Sequence, residues 1–321
     1  MNLSELGEFG LIADLQNRLF TRTGVQLGIG DDAAVLSALQ CPIVTCDALV
    51  EGIHFRRDWT TPRALGRKAM AVNISDLAAM GAEPVAAFVS LAAGPNDSVE
   101  WIRELYAGFE SMAHEYRFTI AGGDTVKSLG ATMISVTLIG EVYNRERGPV
   151  LRSGAQAGDM LMVTNTLGDS AAGLALLFND EAQVRQAEMR ALLNDFPNDW
   201  HAALDLSDGL VGDAAHMAKR SGVSIEINVE KLPISPACRE VAQALGIDPV
   251  DWALSGGEDY ELLVAVNPER AEEMAEIIED YCDDETLTVI GRCTAANEDG
   301  PQVIVQQNGV SRSTQSAWSH F

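Results

Sequence analysis

Small residues followed by acids recur along this chain: Gly30-Asp31-Asp32, Cys46-Asp47, Gly122-Gly123-Asp124, Leu204-Asp205-Leu206-Ser207-Asp208-Gly209 and Gly256-Gly257-Glu258-Asp259. Each group follows or joins a short apolar run that reads as a strand, and Asp76 is the helical exception. Glycine lets backbone approach a ligand closely or take positive φ. Carboxylates at strand tips suit hard cations, because Mg²⁺ prefers oxygen ligands and keeps some of its waters. Several carboxylates gathered in one space repel one another unless metal lies between them. Such a site has a use: divalent ions bridge protein carboxylates and polyphosphate oxygens during phosphoryl transfer. A single Gly-Asp pair reads first as a turn or a helix cap. The recurrence together with Asp76 favours the metal reading.

Other site chemistries fit less well. Gly122-Gly123-Asp124-Thr125-Val126-Lys127-Ser128 lacks the glycine before lysine that a P-loop needs. There is no H-R-D or D-F-G set and no G-x-S-x-G elbow. Gly28-x-Gly30-x-x-Ala33 formally matches a dinucleotide fingerprint, with Asp47 and Glu51 downstream. Asp31 and Asp32 would then sit against a pyrophosphate, which is repulsive, so that match is set aside. The histidines His54, His114, His201, His216 and His320 form no zinc pattern. His54 lies just after the Asp47 group; it reads as an ordinary loop residue or as a substrate contact.

The elements that must position these residues follow from periodicity. Thr61 to Met80 is the clearest helix, with Thr61 as cap, Pro62 in the first turn, Gly81 at the C-terminal cap and Pro84 beyond. Leu65, Ala69, Val72 and Asp76 recur at spacings of three and four, so an Asp sits on or beside an apolar stripe and needs a partner there. Ser4–Phe20 and Val99–Tyr116 also read as helices, the first capped by Ser4. Strands are expected at Pro42–Cys46, Ala86–Leu91, Thr119–Ala121 and Thr132–Val142. Arg145 to Pro149 breaks the pattern with charge, Gly and Pro, and marks a domain boundary. Beyond it, strands are expected at Met160–Thr164, Ala203–Leu206, Val223–Val229, Tyr260–Val266 and Leu287–Ile290. Helices are expected at Ser170–Leu177, from Gly209 to Lys219, and at Pro268–Tyr281, and a hairpin turns at Asn308-Gly309.

Composition bounds the class. The 321 residues favour two domains, and 47% hydrophobic content suits globular cores. The formal net charge is -25, from 47 acids and 22 bases, which excludes nucleic acid and anionic membrane as ready partners. An anionic substrate would then need cations near the site, and bound metal supplies them. Five Cys with no C-x-x-C point to a reducing, cytoplasmic setting. No signal peptide is expected, and no apolar run approaches the ~20 residues of a membrane span.

The motifs resemble one family. Gly28-Ile29-Gly30-Asp31-Asp32-Ala33-Ala34, Asp47 with Gly52-Ile53-His54-Phe55, Ala71-Val72-Asn73-Ile74-Ser75-Asp76-Leu77-Ala78-Ala79-Met80-Gly81-Ala82, Gly122-Gly123-Asp124-Thr125, Asp205-Leu206-Ser207-Asp208-Gly209-Leu210 and Leu254-Ser255-Gly256-Gly257-Glu258-Asp259-Tyr260-Glu261-Leu262 are similar to those of the thiamine-monophosphate kinases. The likeness keeps order and spacing from Gly28 to Trp318. It implies kinship with aminoimidazole-ribonucleotide and selenophosphate synthetases and an α/β (α+β) fold of two domains. Residues 1–148 would bind ATP and Mg²⁺ and pair through a mixed sheet in a homodimer. Residues 149–321 would form an α/β domain that completes the site.

The resemblance also implies roles. Asp32, Asp47, Asp76, Asp124, Asp205 and Asp208 would hold several Mg²⁺ ions, with Thr45 a further candidate. Gly123, Asp124, Arg152 and Ser207 would contact ATP. His54, Glu258 and Trp318 would hold thiamine monophosphate; an aromatic face at Trp318 suits a flat cationic ring, although a packing role competes. Cys46 departs from the family, which commonly has Thr there; a thiol is a poor Mg²⁺ ligand, leaving only its carbonyl. The implied reaction is direct in-line transfer from ATP to the substrate phosphate, with no phosphoenzyme. Two rivals stand beside it. One is another ATP-using enzyme of the superfamily, though a selenophosphate synthetase would carry an early reactive Cys and the first here is Cys41. The other is a non-enzymatic acidic metal-binding protein.

Overall fold

A computed structural model describes residues 1–175, 198–281 and 285–313. The chain divides into two compact units, one of Met1–Leu77 with Ala82–Val142 and the other of Ala78–Gly81 with Tyr143–Phe321.

The N-terminal unit begins with α1 (Leu3–Leu6) and α2 (Glu8–Gln16), separated by Gly7 at φ 74. One helix from Ser4 was expected; the glycine breaks it, and Asn2 is the cap, accepting from the Glu5 amide. A two-stranded sheet of β1 (Val25–Leu27) and β2 (Val35–Leu36) follows. No helix opens after Gly28–Ala33, so the strand–turn–helix context of a dinucleotide site is absent there. The main sheet holds β3 (Pro42–Val50), β4 (Ala82–Ala93), β5 (Thr119–Lys127) and β6 (Met133–Val142) in the order β3-β6-β4-β5. β4 and β5 are parallel, and the other pairs are antiparallel.

Alternation gives this sheet two unlike faces. Ile134, Val136 and Leu138 of β6 are buried, while Met133 of β6 and Val44 of β3 on the other side are exposed. The buried side meets α3 (Pro62–Ala79): a side chain at Gly140 of β6 would strike Leu77. Thr61 caps α3, accepting from the Ala64 amide at 3.1 Å, and Gly81 ends the turn at φ 68. Leu65, Ala69 and Val72 are buried as the stripe requires. α4 (Val99–Glu115), capped by Ser98, buries Ile102, Leu105, Phe109 and Met112.

The C-terminal unit is a seven-stranded mixed sheet among the described residues. Its strands are β7 (Met160–Thr164), β8 (Trp200–Asp205), β9 (Val223–Asn228), β10 (Leu262–Val266), β11 (Leu287–Ala295), β12 (Val303–Gln307) and β13 (Val310–Ser311), in the order β13-β12-β9-β11-β7-β10-β8. One face packs against α5 (Asp169–Ala175), α6 (Leu210–Ser221), α7 (Pro236–Leu245) and α8 (Pro249–Ser255) through residues such as Leu161, Val163, Leu204, Leu210, Met217 and Leu254. The other packs against α9 (Ala271–Tyr281) through Met162, Val264, Met274 and Ile278. The expected helix at Ser170–Leu177 is α5, with residues 176 and 177 outside the described set. The hairpin turns at Asn308 (φ 52) and Gly309 (φ 76).

α3 and α4 cross at two glycines. A Cβ on Gly66 would lie 2.1 Å from the Leu105 carbonyl, and one on Gly108 would lie 2.1 Å from that of Arg63. Alanine returns up to ~1 kcal/mol of helix propensity, but forcing the helices apart costs about 1–3 kcal/mol. Gly108→Ala should therefore lower the urea unfolding midpoint, and a raised midpoint would show that the crossing is loose.

Candidate functional site

In the N-terminal unit the candidate chemistry gathers where β3 meets α3. Thr45 and Asp47 lie two apart on β3 and share a face. Thr45 Oγ1 donates a short hydrogen bond to Asp76 Oδ2, and the Asp47 and Asp76 carboxyl groups are within hydrogen-bonding reach of each other. Asn73, fully buried one turn before Asp76, accepts the Asp47 amide at 3.1 Å and donates to the Ala69 carbonyl at 3.1 Å. β3 is an edge strand, so this outward amide needs an acceptor from outside the ladder. Sequence reasoning misses Asn73; its place three residues before Asp76 on one helix face is the available signal.

Burial, and then the Asp76 carboxylate, push the Asp47 carboxyl up to about 6. Two crowded carboxylates with a hydroxyl are hard oxygen donors with an excess of negative charge. They fit Mg²⁺, which takes one or two carboxylates and keeps sites for water and phosphate. Among the described residues no group of three or more His, Cys, Asp or Glu side chains could by itself hold a metal ion. Asp32 is exposed in the turn after Gly30, its amide bound by Asp31 Oδ1 at 2.8 Å. Asp124 is exposed on β5, paired in register with Ser90 of β4.

Two placements differ from the expectation of strand tips. Asp47 lies inside β3, because the ladder to β6 runs on to Val50 opposite Met133. Asp124 lies inside β5, which follows β4 as far as Lys127. Gly123 sits at φ 152, and a Cβ there would lie 1.9 Å from the Val89 carbonyl, so only glycine fits. Cys46 alternates away from Thr45 and Asp47; its thiol is exposed beside Ser135 (3.6 Å) and Thr137 (3.4 Å).

His54 sits in the loop between β3 and α3. Its Nδ1 accepts the Val50 amide at 3.0 Å, and its carbonyl accepts from Lys68 Nζ at 3.2 Å. With Nδ1 an acceptor, a neutral His54 ring carries its proton on Nε2.

The C-terminal unit brings two motifs together by backbone pairing. The Glu258 amide donates to the Ser207 carbonyl at 2.9 Å, Tyr260 to Leu206 at 2.9 Å, and Leu206 to Glu261 at 2.8 Å. A Cβ on Gly257 would lie 2.8 Å from the Ser207 carbonyl, so the close approach needs glycine. Glu258 (φ 65) and Tyr260 (φ 51) both take left-handed conformations, each costing about 1–3 kcal/mol. Between them, Asp259 accepts the Gly168 amide at 3.1 Å at the start of α5. Burial pushes its carboxyl up to about 8, with Glu261 and Asp169 adding to the rise.

Asp205 ends β8 and is buried; Ser207 and Asp208 form the turn into α6, whose N-cap Gly209 (φ 106) has no side-chain cap. Asp213, in the first turn of α6, accepts the Asp208 amide at 3.0 Å. Burial pushes its carboxyl up to about 6; the Asp208 charge adds to this and Arg152 opposes it. Arg152, Ser207, Asp208 and Asp213 thus share one neighbourhood. Sequence reasoning misses Asp213 too, although an acid in a first helical turn is a usual partner of the preceding amides. Trp318 lies outside the described residues.

Known proteins resemble this chain along its length. Residues 30–142 match the family model described as AIR synthase related protein, N-terminal domain, and residues 156–304 match its C-terminal domain counterpart. The thiamine-monophosphate kinase of Aquifex aeolicus is 36% identical, with 100% of both chains covered. The crystal structure of thiamine-monophosphate kinase from Stenotrophomonas maltophilia K279a superposes with a TM-score of 0.76 at 36% identity, covering 92% of this chain and 96% of that one. A structure described as AaThiL complexed with AMPPCP and TMP gives a TM-score of 0.73 at 34% identity, covering 100% and 99%. No described helix is long and apolar enough to cross a membrane.

The carboxylate pair sets a pH dependence. A carboxyl raised in the fold from 3.8 to about 6 favours the protonated native state. Its stability is fully present below the unfolded value and is lost as pH rises through the folded one. Asp76→Asn removes the like charge while keeping an acceptor for Thr45. Without divalent ions the variant should exceed the parent by about 1 kcal/mol at pH about 8 and match it at pH about 4. Urea unfolding at both pH values reads this, and a variant weaker at the higher pH would show that the two groups do not repel.

Proposed function

The chain belongs to the thiamine-monophosphate kinase family, and from that premise we propose that it transfers the γ-phosphoryl group of ATP directly onto the phosphate of thiamine monophosphate, giving thiamine diphosphate. The observation that carries this reading is the Thr45–Asp47–Asp76 set, a crowded acidic pair with a hydroxyl and the right chemistry for Mg²⁺. The relative described with AMPPCP and TMP supports ATP and the thiamine phosphate as the two reactants.

The residues divide the work. A phosphate oxygen is already anionic, so the acceptor needs no general base and the protein's task is positioning and charge control. Thr45, Asp47 and Asp76 would hold Mg²⁺, and Asp32, Asp124, Asp205 and Asp208 are assigned to such ions as well. When bound, Mg²⁺ neutralises charge on the polyphosphate oxygens. Gly123, Asp124, Arg152 and Ser207 contact ATP in this reading. Gly123 lets backbone come close, Arg152 supplies charge, and the uncapped start of α6 beside Ser207 favours an anion. His54, Glu258 and Trp318 hold the substrate in this reading. The strain at Glu258 supports a functional placement.

The N-terminal unit carries ATP, Mg²⁺ and the dimer contact in this proposal, and the C-terminal unit contributes its own nucleotide and substrate residues. The exposed sheet face with Val44, Met133 and Val126 supports a homodimer formed there. The free thiols of Cys41, Cys46, Cys238 and Cys293 support a cytoplasmic setting.

One assay tests the reaction. With ATP, Mg²⁺ and thiamine monophosphate, chromatography should show thiamine diphosphate formed in step with ADP, and thiamine itself should not be turned over. ADP released without thiamine diphosphate would overturn the proposal. Asp47→Asn and Asp124→Asn should each lower kcat by at least about a hundredfold at limiting Mg²⁺. Full activity in both would remove their assigned roles.

A further inference from the structure

The loop that carries His54 is tied at both ends by one side chain. Arg57 makes two parallel bonds to Asp97, Nη1 to Oδ1 at 2.9 Å and Nη2 to Oδ2 at 3.0 Å. Its Nε lies 3.2 Å from Glu51 Oε2, and Nη2 also donates to Thr132 Oγ1. The guanidinium stacks 4.1 Å above the Trp101 ring. Each partner belongs to a different piece of the unit. Glu51 follows β3, Thr132 precedes β6, Asp97 lies in the turn before α4, and Trp101 is on α4.

The partners are themselves fixed. Asp97 Oδ2 accepts the Gly94 amide at 2.9 Å, and Glu51 Oε2 accepts the Thr132 amide at 3.2 Å. Burial disfavours the Arg57 charge, but Asp97 and then Glu51 outweigh it and hold the group charged. A half-buried bidentate pair of this kind is stronger than an exposed one. Arg56 next door is the contrast: its pair with Asp58 and its stacking on Trp59 are exposed and span two or three residues.

Within the clamped span the chain is tightly wound. The Gly52 amide donates to the Phe55 carbonyl at 2.8 Å, and His54 donates to Val50 at 2.9 Å. Phe55 is buried and anchors the centre. The Val50 amide can hold His54 Nδ1 as an acceptor only while this winding persists.

We propose that Arg57 is a positioning residue for the substrate: by tying Glu51, Asp97, Thr132 and Trp101 together it holds residues 51–57 closed and keeps the His54 ring in its place. Arg57 thus sets affinity for the phosphate acceptor without touching it. The inference rests on the reading that His54 meets thiamine monophosphate. Lysine at this place keeps the charge but loses the fork and the stacking plane.

In full-chain kinetics, Arg57→Lys should raise KM for thiamine monophosphate about tenfold, with KM for ATP changing less than about twofold. Asp97→Asn, which loosens the clamp from the opposite side, should shift the same constant in the same direction. A rise in both KM values together, or none for thiamine monophosphate while His54→Ala does raise it, overturns the proposal. His54→Ala isolates the underlying reading: unchanged KM for thiamine monophosphate in that variant removes the substrate role of His54. The clamp is then decided by amide exchange in Arg57→Lys. Faster exchange confined to residues 50–57 upholds it, and unchanged exchange there overturns it.

Discussion

Asp47 on β3 and Asp76 on α3 face each other across a desolvated gap, so the fold must hold two like charges together against their repulsion. That demand explains much of what surrounds them. Thr45 engages one carboxylate with a hydroxyl, and Asn73 pins the backbone of the other. The helix bearing Asn73 and Asp76 is itself held by burial of Leu65, Met70, Ile74 and Leu77 and by its glycine crossing with α4. Burying such side chains is worth about 1.5–3 kcal/mol each, more than the cost of crowding one pair of carboxylates. The packing can therefore keep in place an arrangement that would relax apart on a looser scaffold.

The C-terminal unit meets a similar demand with backbone instead of charge. The strand-end turn at Leu206–Gly209 and the segment at Gly256–Glu261 lie main chain to main chain. Glycine at 209 and 257 permits that approach, and Glu258 and Tyr260 absorb its strain. Asp213 and Asp259 turn inward and take up amides that the tight turns leave over. Their raised carboxyl pKa values follow from burial, and mark where the fold has accepted a cost to fix a turn.

How much of this is legible in the sequence varies with how local the cause is. α3 is legible in full, because Thr61, Pro62, the Leu65–Ala69–Val72 stripe and Gly81 are all local signals. The need of Asp76 for a partner is legible, but its partners are not, since Thr45 and Asp47 come from another element. β3 and β5 run past their expected ends because ladder pairing, not propensity, sets strand length. The helices α7 and α8 are absent from the expected elements, although Ser235-Pro236 and Asp248-Pro249 are caps followed by proline. Asn73 and Asp213 escape notice because an Asn in a helix and an Asp in a first turn have bland explanations until the facing backbone is known.

Charge links the site to the whole chain. With 47 acids against 22 bases, positive side chains are scarce, and the structure commits many of them to pairs. Arg18, Arg56, Arg57, Arg67, Arg103, Arg270, Arg292 and Arg312 each face a carboxylate. Arg57 shows what such pairing achieves, since its charge organises a loop and is not free to meet a phosphate. A chain with about twice as many acids as bases opposes the approach of two anionic reactants. In the proposed reaction, crowded carboxylates would be the complementary solution: they hold no anion themselves, but they would attract divalent cations that can. An acidic surface and an anionic pair of substrates would then be compatible through the same feature, the crowded Asp47–Asp76 pair.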